Sequence, residues 1–316
     1  MPPFPLRPFR FGVQSSSPRV VSATSWAALA RKVEDLGYGQ LSVSDHLDGQ
    51  LAPIAALMAA ADATTTLRVG SLVFCNDYRH PVVLAKEAAT LDLLSGGRLE
   101  LGLGAGWMTT DYERAGIPLD PPATRIERLE EAVTVIKALF GDEPCTFRGR
   151  HYRVQGMSGT PKPHQRPHPP ILIGGGGRRL LAVAARHADV VGLIPAMRAG
   201  VLDASTGPDA TAEATDAKVA WIRSEAGDRL ADLELQVRIH LVAITDDRQG
   251  LVEAFAGGFG LSSSQALASP YALCGTTSQI VDDLLERRER FGISSIGIGL
   301  DAVDDLAPVV AALAGR

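Results

Sequence analysis

The stretch Pro170-Ile171-Leu172-Ile173-Gly174-Gly175-Gly176-Gly177-Arg178-Arg179 is an apolar run that stops at four glycines and then continues in a helical pattern. Its apolar half has the composition of a buried strand, and the apolar residues after Arg178 recur at the spacing of one helix face. Glycines at such a junction let the backbone approach an anion, and the first helical turn offers unpaired N–H groups. The stretch therefore predicts one β–α unit with a phosphate-binding turn at Gly174–Arg178, and a plain flexible turn is the alternative.

The same unit recurs along the chain, because seven further apolar runs of strand composition alternate with helical patterns. Strands that alternate with helices build parallel sheets. Eight units in 316 residues favour an α/β fold of the (β/α)8 or TIM-barrel type over an open doubly wound sheet. In such barrels the active site lies at the carboxyl ends of the strands. The predicted strands cover residues 11–14, 40–44, 67–74, 99–104, 171–173, 190–194, 235–244 and 295–300.

Two longer connections interrupt this alternation within a predicted single domain over residues 1–316. The first insertion, at about 141–170, contains a β-like piece and a proline-rich run that we expect to form a loop crossing the barrel. The second, at about 196–232, begins with a segment rich in Ala, Gly, Thr and Asp that we expect to act as a lid. Met197 and Arg198 in this segment are the nearest candidates for contact with a substrate.

The composition points to a small-molecule partner. The chain has 31 Lys and Arg against 36 Asp and Glu, so no basic field attracts nucleic acid or an anionic membrane. Its three cysteines have no paired spacing, which argues against a disulfide framework or a metal site and for a reducing compartment. With no signal-like start and no window apolar enough to span a bilayer, we expect a cytoplasmic protein.

The strand ends carry the candidate chemistry. The second strand ends in Asp45-His46, and a histidine oriented by a carboxylate can give or take a proton near neutral pH. We therefore expect His46 to be catalytic and Asp45 to orient it, whereas a loop-capping aspartate beside a surface histidine is the alternative. The fourth strand ends in Gly104-Ala105-Gly106-Trp107, where a planar ring could lie against backbone; the alternative is a tight strand exit with Trp107 in the core.

Together these segments resemble the luciferase-like monooxygenase superfamily, and within it the group that uses the deazaflavin coenzyme F420. The resemblance covers nearly the whole chain, and the ordered set of motifs is more specific than any one of them. The segments that carry it are residues 44–46, 77–81, 91–107, 170–179, 269–271 and 275–276.

The resemblance implies a site for coenzyme F420 at the strand ends, with Asp45 and His46 beside the reactive face of the ring. It further implies a non-proline cis peptide bond, Leu72–Val73, that backs the ring. The other cofactor-binding residues that it implies are Cys75 and Asn76 at the ring edge, Gly104, Ala105, Gly106 and Trp107 beneath or beside the ring, and Gly174, Gly175, Gly176, Gly177 and Arg178 at the phosphate.

The implied activity is hydride transfer between F420 and an unidentified small organic substrate, with His46 passing the coupled proton and no metal involved. Trp107 stands where relatives that oxidise a sugar phosphate carry a glutamate, which argues against that substrate. Met108 replaces the asparagine that many relatives have next. Three alternatives stay open, namely an FMN-dependent monooxygenase that uses reduced flavin and O2, a non-catalytic flavin-binding protein, and a sugar-phosphate isomerase barrel, whose phosphate glycines usually follow the seventh or eighth strand.

The segments 52–63 and 81–94 are alanine-rich and carry little charge. Helices of this kind suit close packing against a symmetry mate, as in relatives, so we expect a homodimer. The alternative is that they pack only on the outer wall of their own barrel.

Overall fold

The computed structural model describes residues 4–16, 22–197 and 204–316. Parallel strands and surrounding helices alternate along most of the chain. The strands are β1 (Arg10–Ser15), β2 (Gln40–Val43), β3 (Arg68–Ser71), β4 (Phe74–Cys75), β5 (Leu99–Gly104), β6 (Cys145–Arg148), β7 (Arg153–Met157), β8 (Ile171–Gly175), β9 (Val190–Leu193), β10 (Glu234–Arg238), β11 (Leu241–Ile244), β12 (Ala272–Gly275) and β13 (Ile293–Gly299). The helices are α1 (Ala23–Asp35), α2 (Pro53–Ala63), α3 (Pro81–Leu94), α4 (Thr109–Ala115), α5 (Pro122–Phe140), α6 (Arg178–His187), α7 (Ala212–Ala226), α8 (Arg248–Ala256), α9 (Ser263–Ala268), α10 (Thr277–Phe291) and α11 (Val303–Leu313).

Eight strand positions close into a barrel in which every neighbouring pair is parallel. The order around the barrel is β1, β2, β3, β5, β8, β9, β10, β13 and back to β1. The third position is divided, because β4 follows β3 after two residues and also pairs with β5. The predicted (β/α)8 barrel is therefore confirmed, and its apolar core lies between the strands and the helices that pack around them.

A buried ion cluster lies at the amino-terminal end of the barrel. The Glu100 carboxylate, 3% exposed, accepts hydrogen bonds from Arg10 at 2.5 Å and Arg68 at 2.6 Å. Burial alone would raise the pKa of Glu100, but the two guanidinium groups outweigh it and hold that pKa below its usual value. Because the cluster lies at the end opposite the strand carboxyl ends, it serves stability rather than chemistry.

The predicted strand over residues 235–244 is wrong as a single strand. The barrel strand β10 ends at Arg238, and β11 leaves the barrel to pair in parallel with β12. The change of partner is visible in the backbone, since Ile239 N–H donates to Gly297 in the barrel and His240 N–H donates to Tyr271 outside it. Apolar residues continue on both sides of this change, although the polar residues that alternate with them stop at His240. An insertion with β11, α8, α9 and β12 follows, and the sequence did not predict it.

The first predicted insertion contains the antiparallel hairpin β6–β7 and then a proline-rich loop. Gln165 in that loop donates hydrogen bonds to Asp92 and to the Leu99 carbonyl, at the start of β5. The loop thus crosses the amino-terminal end of the barrel and does not approach the strand carboxyl ends. In the second predicted insertion a 3-10 segment, Ala204–Ala210, precedes α7, and Arg198 lies outside the described residues.

Across the described ranges, no helix has both the length and the apolar character needed to cross a membrane. The three cysteines, Cys75, Cys145 and Cys274, are buried and unbridged.

Candidate functional site

A cavity of about 810 Å³ opens at the carboxyl ends of the barrel strands. Most of its wall is apolar, and polar side chains enter it from several strand ends. Thirteen of the fifteen predicted site residues line it, and Asn76 and Arg178 do not. The predicted residues in the wall are Asp45, His46, Leu72, Val73, Cys75, Gly104, Ala105, Gly106, Trp107, Gly174, Gly175, Gly176 and Gly177.

His46 is held by a carboxylate, but not by its neighbour in the chain. Its Nδ1 atom lies 2.7 Å from Oδ2 of Asp111, which α4 carries to the cavity wall. The Tyr78 hydroxyl donates to the same oxygen at 3.1 Å. The ring of Trp107 packs edge-on against the imidazole, with 5.6 Å between ring centroids and 85° between planes. Asp111, Tyr78 and Trp107 together fix the orientation of His46.

The expectation that Asp45 orients His46 is therefore wrong. Both Asp45 oxygens accept hydrogen bonds from Arg79, at 2.7 and 3.0 Å, and one also accepts the Cys75 backbone N–H at 2.9 Å. Asp45 thus braces the segment after the third strand. Side chains of adjacent residues in extended backbone point in different directions, so sequence adjacency did not bring this pair together.

The Leu72–Val73 peptide bond is cis, as the resemblance implies. Its Leu72 carbonyl points at Gln14, whose amide nitrogen donates to it at 2.5 Å. A side chain at Gly104 would meet the Val73 side chain at 2.5 Å, so the glycine leaves room for the bend of the third strand. The two strand ends form one side of the cavity, which Leu72, Val73 and Gly104 line.

The loop after the fourth barrel strand is held by a buried arginine. Arg125 Nη1 donates to the Ala105 carbonyl at 2.9 Å and also to that of Gly106, and its Nε donates to the Asp120 carbonyl. Gly106 has a φ of +77°, and a Cβ there would collide with the Tyr112 hydroxyl. Glycine is therefore required at 106 both by its backbone conformation and by the lack of space.

The four glycines differ in what surrounds them. A Cβ on Gly176 would lie 2.5 Å from the Ile194 carbonyl oxygen and 2.6 Å from the Ala196 nitrogen, whereas a Cβ on Gly177 would meet nothing within 4 Å. Gly177 is the N-cap residue of α6 and has no side chain that could accept a hydrogen bond from the N–H groups of the first helical turn. Both glycines line the cavity, but a side chain would enter open space only at Gly177, and at Gly176 it would meet backbone.

Asn76 and Arg178 lie away from the cavity, and Cys75 lines it. Asn76 is 2% exposed and donates to the Tyr152 hydroxyl at 3.1 Å, so its amide faces the protein and not the cavity. Arg178 is exposed on the surface. Burial raises the pKa of Cys75 to about 11, which keeps its thiol protonated at neutral pH.

Sequence reasoning missed the polar groups on the first and seventh barrel strands. Gln14, at the end of β1, accepts a 2.7 Å hydrogen bond from Arg238 Nε at the end of β10. Burial lowers the pKa of Arg238 to about 10, and the Asp301 carboxylate offsets only part of that effect. Burial and the Arg238 charge also lower the pKa of His240 to about 4, although this side chain keeps solvent contact in the cavity. The polar residues inside the apolar run 235–244 were the signal for this strand end.

The groups in the wall can do two things chemically. His46, whose Nδ1 is engaged by a carboxylate, can exchange a proton through Nε2. The side of the cavity formed by the Leu72–Val73 peptide bond and Gly104, together with the glycine turn, can hold a planar ring with a phosphate-bearing chain. Within the described residues, no cluster of histidine, cysteine or carboxylate side chains could hold a metal ion.

Comparison with known proteins relates these features to a family. A family model described as luciferase-like monooxygenase matches residues 6–292. An F420-dependent glucose-6-phosphate dehydrogenase from Microbacterium testaceum is 33% identical over 192 residues, which are 58% of this chain and 55% of the relative. An FMNH2-dependent dimethylsulfone monooxygenase from Pseudomonas putida is 31% identical over 142 residues, 45% of this chain and 39% of the relative. The matches thus span about half the length of these relatives or less.

The fold also has solved counterparts. The coenzyme F420-dependent tetrahydromethanopterin reductase from Methanopyrus kandleri superposes with a TM-score of 0.75 at 18% identity, over 96% of this chain and 97% of that one. At this identity the likeness shows the shared barrel fold.

Proposed function

The chain belongs to the luciferase-like monooxygenase family, and we propose that it is an oxidoreductase that transfers a hydride between coenzyme F420 and a small organic molecule. The observation that carries the proposal is the pair formed by partly exposed His46 and buried Asp111 in the wall of the strand-end cavity. Hydride transfer to or from an organic molecule is commonly coupled to movement of a proton, and this pair supplies a group that can move it. The F420-dependent relative from Microbacterium testaceum adds support, since its match is longer than that of the FMNH2-dependent relative.

The residues present fit the cofactor. The cis peptide bond and Gly104–Trp107 would lie against the planar ring, and the Gly177 turn would face the phosphate. Because a Cβ at Gly177 meets only open space, backbone N–H groups there are accessible to an oxyanion. Coenzyme F420, when bound, supplies two-electron hydride chemistry at its ring.

The role of His46 follows from its partner. An ionised carboxylate accepts hydrogen bonds and cannot donate, so Nδ1 of His46 carries the hydrogen that bonds Asp111. The lone pair of neutral His46 is then on Nε2, which makes no hydrogen bond within the part of the chain that the structure describes. His46 can therefore take a proton at Nε2 from a substrate hydroxyl as it is oxidised, or return one in the reverse direction. Asp111 stabilises the positive imidazolium that forms.

A second candidate, an FMN-dependent monooxygenase, is favoured by the match to the Pseudomonas putida enzyme. The two candidates separate in a cofactor titration. We expect the fluorescence of F420 to be quenched when it binds the protein, and the unfolding temperature of the protein to rise. FMN and FMNH2 should have much weaker effects on the unfolding temperature. Tight FMN binding without F420 binding would overturn the proposal, and binding of either cofactor with no turnover of any substrate would favour a binding protein.

We also propose that the protein forms a homodimer through α2 and α3. Helix α3 leaves large apolar side chains in solvent, including Val83 at 49% and Leu94 at 65% exposed, and Leu51, just before α2, is 39% exposed. A neighbouring apolar pocket of about 380 Å³ is lined by Trp26 and by alanines of α2. Exposed apolar side chains around a concave patch are typical of surfaces that become buried on assembly.

A further inference from the structure

We propose that Arg238 is the substrate-anchoring residue of the cavity and that the substrate is a small organic anion with a carboxylate or sulfonate group. This inference rests on the proposed function for what reacts, but the binding it asserts can be measured without any reaction.

Arg238 is the last residue of β10 and lies in the cavity wall at the catalytic end of the barrel. Its strand is opposite the third barrel strand, which carries the cis peptide bond. A chain of two hydrogen bonds crosses between them, from Arg238 Nε to the Gln14 side-chain oxygen and from the Gln14 amide nitrogen to the Leu72 carbonyl. This bridge holds the guanidinium in one orientation before any ligand arrives, which lowers the entropic cost of binding.

The other charged side chains that line the cavity already have partners of opposite charge or backbone acceptors. Asp45 is paired with Arg79, Asp111 with His46, and Asp120 with Arg128. Arg125, the second arginine in the wall, donates to three backbone carbonyls.

Arg238 differs from these groups, because it forms no ion pair within 4 Å among the described residues. Asp301 is its nearest source of negative charge and acts from beyond ion-pair distance. Nε and Nη1 of the guanidinium donate to Gln14 and to the Ile239 carbonyl, and Nη2 has no hydrogen-bond acceptor within the described ranges. A partly buried cation without a counter-charge favours an anionic ligand, because an anion repays the desolvation of both groups through charge-assisted hydrogen bonds.

The surroundings define the size and polarity of that ligand. His240 lies two residues farther along and can add a hydrogen bond, while the remaining wall on this side is apolar, with Ile194, Pro195 and Met197. One anionic group attached to an apolar body fits such a site. A phosphate ester fits less well, since the glycine turn at residues 174–177 is the phosphate site of the proposed cofactor.

Binding of simple probes tests the inference. Benzoate, benzenesulfonate and the neutral isostere benzamide would be titrated into the wild-type protein by calorimetry, with and without F420. We expect one or both anions to bind at least about 30-fold more tightly than benzamide, because a partly buried charge pair is lost with the neutral probe. The two anions distinguish a carboxylate substrate from a sulfonate substrate.

Substitutions assign the binding to Arg238. We expect R238M to lose anion binding by a similar factor, R238K to retain part of it, and the exposed hairpin variant R153M to match the wild type. Q14L should keep most anion binding, because it removes the bridge and not the charge. If R238M does not fold, R238K provides the test, and we expect its anion affinity to be lower than that of the wild type but still measurable.

Two results would overturn the inference. Anion affinity equal to that of benzamide, or unchanged in R238M, would remove the anion site. A large loss of F420 affinity in R238M with unchanged anion binding would assign Arg238 to the cofactor. If the wild type does not bind F420 but still binds anions through Arg238, the proposed function is rejected and the anion-binding site is retained.

Discussion

Replacement of Asp111 tests the assignment of His46 most directly. Asp111 lies 2.7 Å from the imidazole and its side chain is only 4% exposed, so this contact is a short, charge-assisted hydrogen bond. In Asp111→Asn, the side-chain oxygen can still accept from both His46 and Tyr78, because both donors meet the same oxygen in the native protein. The variant therefore keeps the geometry and removes the charge.

The size of the effect follows from that difference. A hydrogen bond to a charged group contributes about 1.5–3 kcal/mol and a neutral one about 0.5–1.5 kcal/mol, so the loss is roughly 1–2 kcal/mol. At about 1.4 kcal/mol for each factor of ten, Asp111→Asn should slow the proton-coupled step roughly 5- to 30-fold. Asp111→Ala removes the orientation as well and should approach His46→Ala, for which we expect about a 10²–10⁴-fold loss.

The assay is a single turnover with prebound reduced F420, followed by its absorbance, using a substrate found among small organic anions. Asp111→Asn in a His46→Ala background should cause little further loss, because Asp111 acts through the imidazole. Nitrogen NMR of the histidine side chains gives a second readout that needs no substrate. It should find the hydrogen of neutral His46 on Nδ1 in the wild type.

Asp45→Asn is the matched control, since Asp45 bonds Arg79 and the Cys75 backbone instead of the imidazole. In the double variant, the rate losses caused by Asp45→Asn and by His46→Ala should multiply, because the two residues act independently. The reasoning is refuted if Asp45→Asn, and not Asp111→Asn, loses its effect in the His46→Ala background. A wild-type rate in His46→Ala would remove His46 from the chemistry altogether.

The remaining predictions concern the glycine turn, the buried ion cluster and assembly. Gly176→Ala should destabilise the protein by about 1–3 kcal/mol in denaturant unfolding because its Cβ meets backbone, whereas Gly177→Val should keep stability and weaken F420 binding; equal behaviour of the two would contradict this. Glu100 has a depressed pKa in the folded state, so its stabilisation is present above about pH 4.5 and is lost as the pH falls through the folded pKa. Glu100→Gln should lower the free energy of unfolding by about 3–5 kcal/mol at neutral pH and make that free energy less dependent on pH in the acid range. The control Glu143→Gln, at an exposed position, should change neither. Leu94→Glu should shift the mass from dimer to monomer in light scattering at several protein concentrations, and a wild type that is monomeric throughout rejects the dimer.

The barrel could be predicted because it depends on local pattern. Each barrel strand is an apolar run between helical segments, and seven of the eight were located within about three residues of their observed bounds. The exception is the run 235–244, where the backbone changes partner from β13 to β12 although apolar residues continue on both sides of the change. Which strand supplies the next hydrogen bond is a long-range property, and residue periodicity carries no information about it.

For the glycine turn, the sequence predicted the junction but not the surroundings of each glycine. Four consecutive glycines correctly indicated a strand-to-helix junction, but they have different neighbours. A side chain at Gly176 would meet the backbone at 194–196, whereas a Cβ at Gly177 would meet nothing within 4 Å. That distinction arises from the end of a different strand, β9, and therefore from packing that spacing does not encode.

Asp45 and His46 are neighbours in the sequence but have different partners in the structure. Residues at a strand end alternate in direction, so neighbours in sequence turn toward different parts of the barrel mouth. Asp45 meets Arg79, which follows the third strand, and His46 meets Asp111, which follows the fourth and is 65 residues away. Each group is thus oriented by a later β–α unit. A barrel site of this kind is assembled by contacts between units, so its proton-transfer pair could be identified only after the strand ends were brought together.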